Sequence, residues 1–461
     1  MNRSQRLKFN KRKFKRTLID NCFIKFLRIF KWLLPGLFLK RWIIISGIGL
    51  IVSLIGLAIW IDLRPILWFL NTSSSILKSL TNFLPRIILG PIVLAIGIVL
   101  LLFGQSRSID SIQQALVPEK ETILIDALRA KSRLSRGPLI VAIGGGTGLA
   151  TLLKGLKAYS SNITAIVTVA DDGGSSGILR RELGVQPPGD IRNCLAALSN
   201  EEPLLTRLFQ YRFSVGTGLD GHSFGNLFLS ALTRITGNLE TAIAASSKVL
   251  AVQGQVVPST NVDVQLWAEL QNGEKIFGES IIGQSLQPIV RLGCSPDHPP
   301  ALPRALEAIH NAELIVLGPG SLYTSLAPNL LIPDIVEALL ISNAPKIYIS
   351  NLMTQPGETD GLNVYDHVKA IESQLSYLGV NKRIFNSILA QREFEPSPLV
   401  DYYKSRGAEP VRCNSSSLIA EGYDLVQTTL YAKRVTPTLR HDPRRLARAV
   451  MYFYRKLKKV S

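Results

Sequence analysis

The chain has 461 residues, is 46% hydrophobic and carries a formal charge of +18 at neutral pH, long enough for a large core and for more than one folding unit. Residues 1–41 hold 13 Lys or Arg and one acid, Asp20, so the other 420 residues carry only +6; this excludes a broadly basic nucleic-acid surface on the globular part. Four scattered cysteines (Cys22, Cys194, Cys294 and Cys413) form no CxxC pair, which speaks against a zinc site or a disulfide scaffold.

The basic arm, residues 1–41, leads into Trp42–Ile61, twenty uncharged residues that would cover about 30 Å as a helix and so cross a bilayer. A second, shorter apolar segment runs from Ile87 to Gly104, with Pro91 in its first turns and Arg86 and Arg107 flanking it. Its alternative reading is a buried helix of a soluble fold. Trp42, Trp60 and Trp68 sit where interfacial aromatics belong. The connection Asp62–Arg86 holds three bases against 13 in the arm, so the arm is expected inside the cell. A transmembrane hairpin over 42–104 then returns the rest of the chain to the cytoplasm. The expected protein is two-pass in the cytoplasmic membrane, with both termini and the globular domain cytoplasmic. Phe23–Lys40 adds a basic amphipathic segment suited to membrane lipids. Residues 105–136 read as a polar linker helix ending near Gly137.

From 137 to 461 the pattern is mixed α/β. Leu139–Ile143 reads as a strand, Gly144–Gly148 as a glycine loop, and about Gly148–Ala158 as a helix with Thr147 as its N-cap. "NITAIVTVA" (162–170) supplies a second strand and completes a βαβ unit. "AELIVLGPGS", "PDIVEALLIS" and "PKIYISNL" repeat the rhythm later. Strands apolar on both faces, alternating with helices, predict a doubly wound, mostly parallel sheet whose ligand lies beyond the C-terminal strand ends. Between about 250 and 300 the alternation of Val262, Val264, Leu266, Ala268 and Leu270, followed by Asn272-Gly273, predicts an inserted β-hairpin with a type I′ turn.

The chemistry gathers in the loops. Gly144, Gly145, Gly146, Thr147 and Gly148 match neither a Walker A loop nor G-x-G-x-x-G. They still bring backbone N–H groups to a helix N-terminus, where an anion binds. Asp171 and Asp172 close the second strand. An acid at that place accepts from ribose hydroxyls, or the pair holds Mg²⁺ between itself and a phosphate. Gly173, Gly174, Ser175 and Ser176 follow, able to hold phosphate or sugar oxygens. "PPGDIRNCLAAL" places Asp190 as an N-cap or site residue and Arg192 and Asn193 in a first helical turn. "GHSFGNLFLSAL" sets His222, Ser223 and Asn226 before an apolar helix. Gly320 and Ser321 follow one strand; Asn351, Thr354, Gln355 and Glu358 follow another. No G-x-S-x-G elbow or H-E-x-x-H occurs, and no covalent nucleophile is indicated. The candidate catalytic groups are Asp171 and Asp190.

"IVAIGGGTG", "VADDGGSSG", "PPGDIRNCLAAL", "GHSFGNLFLSAL", "GPGSLYTSLAPNLL" and "SNLMTQPGETDG", in this order, resemble the signature blocks of the gluconeogenesis-factor (YvcK-like) family, related to the 2-phospho-L-lactate transferases. The resemblance runs from 137 to about 435, with the N-terminal hairpin as a membrane-anchored addition. It implies a Rossmann-like domain that binds UDP-sugars such as UDP-N-acetylglucosamine and supports cell shape and envelope synthesis on gluconeogenic carbon. It places Gly145, Gly146 and Thr147 at the phosphates and Asp171 and Asp172 on the sugar or metal side, with Asp190, Asn193 and Asn226 completing the pocket. The transferase branch implies the alternative: Mg²⁺-dependent transfer of a phospholactyl-type group from a nucleotide-diphosphate-activated donor to an alcohol. Expected partners are the nucleotide-diphosphate ligand, membrane lipids, envelope-synthesis proteins and a second copy of the chain, with no specific nucleic acid.

Overall fold

The computed structural model describes residues 131–200, 203–214, 218–285, 287–395, 397–432 and 438–460, with Val52, Pro91 and Val99. The basic arm, nearly all of both apolar segments and most of the linker lie outside the described residues. The chain divides into two compact units, Met1–Arg133 and Leu134–Ser461, and the sheet, core and cleft below belong to the second. Among the described residues no single helix is long and apolar enough to cross a membrane.

Strand β1 (Ile140–Gly144) is buried along its whole length. It lies between β2 (Ile163–Val167) and β7 (Leu314–Leu317), parallel to both, with Ile140 opposite Ile163 on one side and Leu314 on the other. β3 (Gln255–Pro258) extends the sheet past β2. β8 (Lys346–Ile349), β9 (Ser387–Gln391) and β10 (Asp424–Thr428) extend it past β7, giving the order β10-β9-β8-β7-β1-β2-β3. Alternate residues of β1 enter different cores. Val141 and Ile143 join one apolar cluster, while Ile140 and Ala142 join the other. Burial on both faces is the reason these strands read as unbroken apolar runs. Each fully buried Ile or Leu contributes about 1.5–3 kcal/mol.

The first crossover helix, α1, spans Gly146–Leu156. It starts two residues before the expected Gly148, because Gly146 adopts φ +64° and turns the chain into the helix at once. The N-cap position is therefore Gly145 and not Thr147, and no side chain caps the helix. Helix α2 (Gly174–Leu183) follows the Gly/Ser loop, α3 (Gly189–Leu198) follows the Pro-Pro-Gly turn, and α4 (Phe224–Thr236) begins after Ser223.

The insertion is larger than a hairpin. β4 (Gln265–Leu270) pairs antiparallel with both β5 (Lys275–Phe277) and β6 (Ile289–Ser295). Asn272 is not among the positive-φ residues, whereas Gly273 has φ +84°. The connection is thus not a type I′ turn. The Leu270 N–H bonds to the Glu274 carbonyl and closes a three-residue loop with glycine in the left-handed position. After β5 the chain makes one short helix, α5 (Glu279–Ile282). The C-terminal α6 (Pro443–Val460) packs on α1, and the approach of the Pro443 carbonyl to Gly155 leaves no room for a Cβ there.

Candidate functional site

β2 and β3 run off from β1 in one direction, β7 to β10 in the other. The loops after β1 and β7 diverge at this switch point, where α/β sheets hold their ligands. The glycine loop, Thr168–Gly173, the Gly318–Ser321 turn and Ser350–Gln355 all end there. They enclose a cleft of about 400 Å³ lined by Gly146, Thr147, Thr168, Asp171, Asp190, Glu279, Ser280, Gly283, Gln284, Ser321, Thr324, Ser325 and Gln355. A compartment of about 360 Å³ adjoins it and shares Gly146, Thr147, Ser321, Ser325 and Gln355; its wall also includes Gly148, Gly320, Asn351, Thr354, Tyr403 and Arg440.

The floor is the start of α1. The first N–H groups of a helix have no partner within it, and here no side-chain cap supplies one. The Asp190 carboxylate accepts from the Gly146 N–H. The next N–H groups, those of Thr147 and Gly148, belong to a helix start at the cleft floor whose dipole favours negative charge. Small residues keep the floor low: a Cβ on Gly145 would lie 2.5 Å from Asp190 Oδ2 and 2.8 Å from Thr168 Cγ2.

The walls are acidic. Burial raises the Asp190 carboxyl to about 6, helped by the negative charge of Asp171 and opposed by the Gly146 N–H and Arg192. Burial also raises Asp171, whose Oδ1 accepts from the Gly173 N–H at 3.0 Å. Glu279 is pushed to about 8 by burial and then by Asp171, Asp172 and Asp190. Glu358, buried behind Tyr323 and Thr324, is raised to about 7, chiefly by burial. Arg192 brings opposing charge: it donates to Ser223 Oγ and Asn193 Oδ1.

These carboxylates offer hard oxygen donors, which suit Mg²⁺. Among the described residues no group of three His, Cys, Asp or Glu is arranged to hold a metal by itself. Mg²⁺ held by one or two carboxylates and completed by water and ligand phosphates fits this donor set; Asp171 and Asp190 would hold it.

The adjacent aspartates diverge. Asp171 faces the cleft, while Asp172 accepts from the N–H groups of Glu279 (3.0 Å) and Ser280 (2.8 Å). Both Asp172 oxygens are thus engaged in fastening α5 to the loop. Of the other expected site residues, Gly146, Thr147, Ser321 and Asp190 line the main cleft, and Gly148 and Gly320 the adjoining one. Gly144 and Gly145 are buried beneath the loop. Gly173 and Gly174 turn the chain into α2. Ser175, Ser176, His222 and Asn226 form a buried layer behind that loop: His222 Nδ1 lies 3.0 Å from Ser175 Oγ, and Asn226 Nδ2 donates to Ser175 and Ser176. Ser223 caps α4, accepting from the Asn226 N–H. Asn193 meets Arg192 rather than the cleft. Thr324, expected in the loop with Gly320 and Ser321, also lines the main cleft, whereas Glu279, Ser280, Gln284, Thr168 and Ser325 were not singled out by sequence. Glu279 follows a hairpin with no motif around it, and only the fold carries it over the switch point.

A family model described as 2-phospho-L-lactate transferase CofD matches residues 140–431. A Nostoc sp. (strain PCC 7120) protein bearing the gluconeogenesis-factor name is 53% identical over 92% of each chain. The gluconeogenesis factors of Bacillus subtilis and Halalkalibacterium halodurans are each 46% identical, and 68% of this chain covers 97% and 95% of them. The crystal structure of a UPF0052 family member from Bacillus halodurans aligns with a TM-score of 0.64 at 46% identity, covering 68% of this chain and 99% of that one.

Proposed function

We propose that this chain, which belongs to the gluconeogenesis-factor family and carries its CofD-type domain, binds a UDP-sugar and couples carbon status to envelope synthesis from the inner face of the cytoplasmic membrane. One observation carries the reading. The uncapped start of α1 and the carboxylates Asp171, Asp190 and Glu279 face the same cleft. A diphosphate meets the helix N–H groups. Sugar hydroxyls donate to the carboxylates. Mg²⁺, which Asp171 and Asp190 would hold, would offset the repulsion between carboxylate and phosphate.

A second reading, group transfer, draws on the Asp190 carboxyl in the cleft wall; in that reading Asp171 alone would hold Mg²⁺, and Asp190, raised by burial to about 6, is the base that takes a proton from an alcohol. The alcohol oxygen would then bond to phosphorus as the nucleoside monophosphate leaves with the broken P–O electron pair.

The test is calorimetric titration of residues 134–461, a length that stands alone in relatives covered almost end to end. UDP-N-acetylglucosamine and GDP are compared with and without Mg²⁺, beside Asp171→Ala. Micromolar binding of the UDP-sugar, lost in the variant and weak for GDP, is expected. Mg²⁺-dependent binding of GDP alone would favour transfer. No saturable nucleotide binding would defeat both.

A further inference from the structure

Helix α6 has two unlike sides. Leu446, Ala447, Val450, Met451, Phe453 and Tyr454 are buried. Arg444, Arg448, Tyr452, Arg455 and Lys456 are exposed, and their spacing sets them along one face of the helix. The helix carries seven Lys or Arg and no acid. Among the described residues, none of the ion pairs uses Arg444, Arg448, Arg455 or Lys456. Tyr452, 64% exposed, stands among these cations as an amphipathic ring suited to a lipid–water boundary.

A second observation concerns where the preceding chain arrives. Glu313 Oε2 accepts from the Leu139 N–H at 3.0 Å, and Glu313 Oε1 pairs with Lys458 at 3.5 Å. The Leu134–Ser461 unit is therefore entered beside the last turns of α6. The residues upstream include the +12 arm and the two apolar segments. Leu139 and Glu313 each precede the first residue of a strand, β1 and β7. The entry point thus lies at the end of the sheet opposite the cleft.

We infer that the exposed row on α6 lies on an anionic lipid surface of the phosphatidylglycerol kind. The proposal rests on the membrane-tethered reading above and adds to it the face of the domain that meets the lipid. Charge complementarity and the point of chain entry both select a membrane over a soluble acidic partner.

The experiment is co-sedimentation of residues 134–461 with phosphatidylcholine vesicles, with and without about one-third phosphatidylglycerol, since each Lys or Arg near such a surface gains roughly fivefold in partitioning. Binding that needs phosphatidylglycerol and weakens with salt is expected. The triple variant Arg444→Gln, Arg448→Gln, Arg455→Gln should bind about a hundredfold more weakly with an unchanged melting temperature. Absence of phosphatidylglycerol-dependent binding overturns the proposal. So does a variant that binds as well as the parent, or single-stranded RNA bound as tightly as the vesicles. UDP-sugar titration of the same variant reads the cleft alone, so failure of the lipid contact and failure of the nucleotide reading are distinguishable.

Discussion

Glu279 begins a helix whose first N–H groups are held by Asp172, while its own side chain lines the cleft with two other carboxylates. Its carboxyl titrates near 8, against 4.5 for a free glutamate. Between those values the folded chain keeps a proton that the unfolded chain has lost, so the contribution of Glu279 to stability falls as pH rises through the window and levels off above about 8. Gln cannot ionise. The melting temperature of Glu279→Gln should therefore gain on the parent from pH 5 to about pH 8 and hold that gain at pH 9; scanning calorimetry showing a constant gap throughout would contradict the assignment. Gly145 makes the complementary case. Gly145→Ala sets a Cβ against Asp190 and Thr168, which should cost about 1–3 kcal/mol in urea unfolding and reduce nucleotide affinity at least tenfold. The glycine could be read in sequence because its role depends on neighbours in the chain. Glu279 could not, because its role depends on a sheet inserted more than a hundred residues after the glycine loop.

At the scale of elements, α1 shows what local reading reaches and where it stops. The strand–glycine–helix order was visible, and its boundaries moved by one or two residues. The misplaced cap followed from crediting Thr147 with a task that the φ of Gly146 makes unnecessary. Asp172, read as a ligand, instead fastens α5 to the loop after β2. Asp172→Ala leaves two N–H groups without that acceptor. The expected loss is about 1–2 kcal/mol, with weaker ligand binding because Glu279 is no longer held over the cleft. Chemical denaturation and titration of the same preparation check both effects. The layer of Ser175, Ser176, His222 and Asn226 behaves differently. Its polar residues stand out in sequence, but sequence does not say on which side of the loop they fall. They lie behind it and hydrogen-bond to one another, with Ser176 also donating to Asp171. His222→Ala should lower stability by about 1–3 kcal/mol while changing nucleotide affinity far less than Asp171→Ala does.

For the whole molecule, the doubly wound sheet was legible because both faces of its strands are covered and each strand is correspondingly apolar. The order of those strands was not, since hydrophobicity does not encode which strand lies beside β1. The membrane reading leads to a fractionation experiment: full-length protein should stay with membranes through a high-salt wash, whereas a chain lacking residues 1–104, left with the salt-sensitive α6 contact alone, should be released by it; full-length protein in the soluble fraction would end that reading. The position of β1 also bears on biosynthesis. β1 leaves the ribosome before every other strand of the sheet, yet Ile140 pairs with Leu314, and the helix covering α1 begins only at Pro443. Throughout translation of the intervening residues one edge of β1 has no partner, and the nascent chain exposes a strand edge prone to wrong pairing. The glycine loop lies at the end of that same strand, and a ribosome stalled short of the last helix would display a chain that contains every signature block with α1 still uncovered.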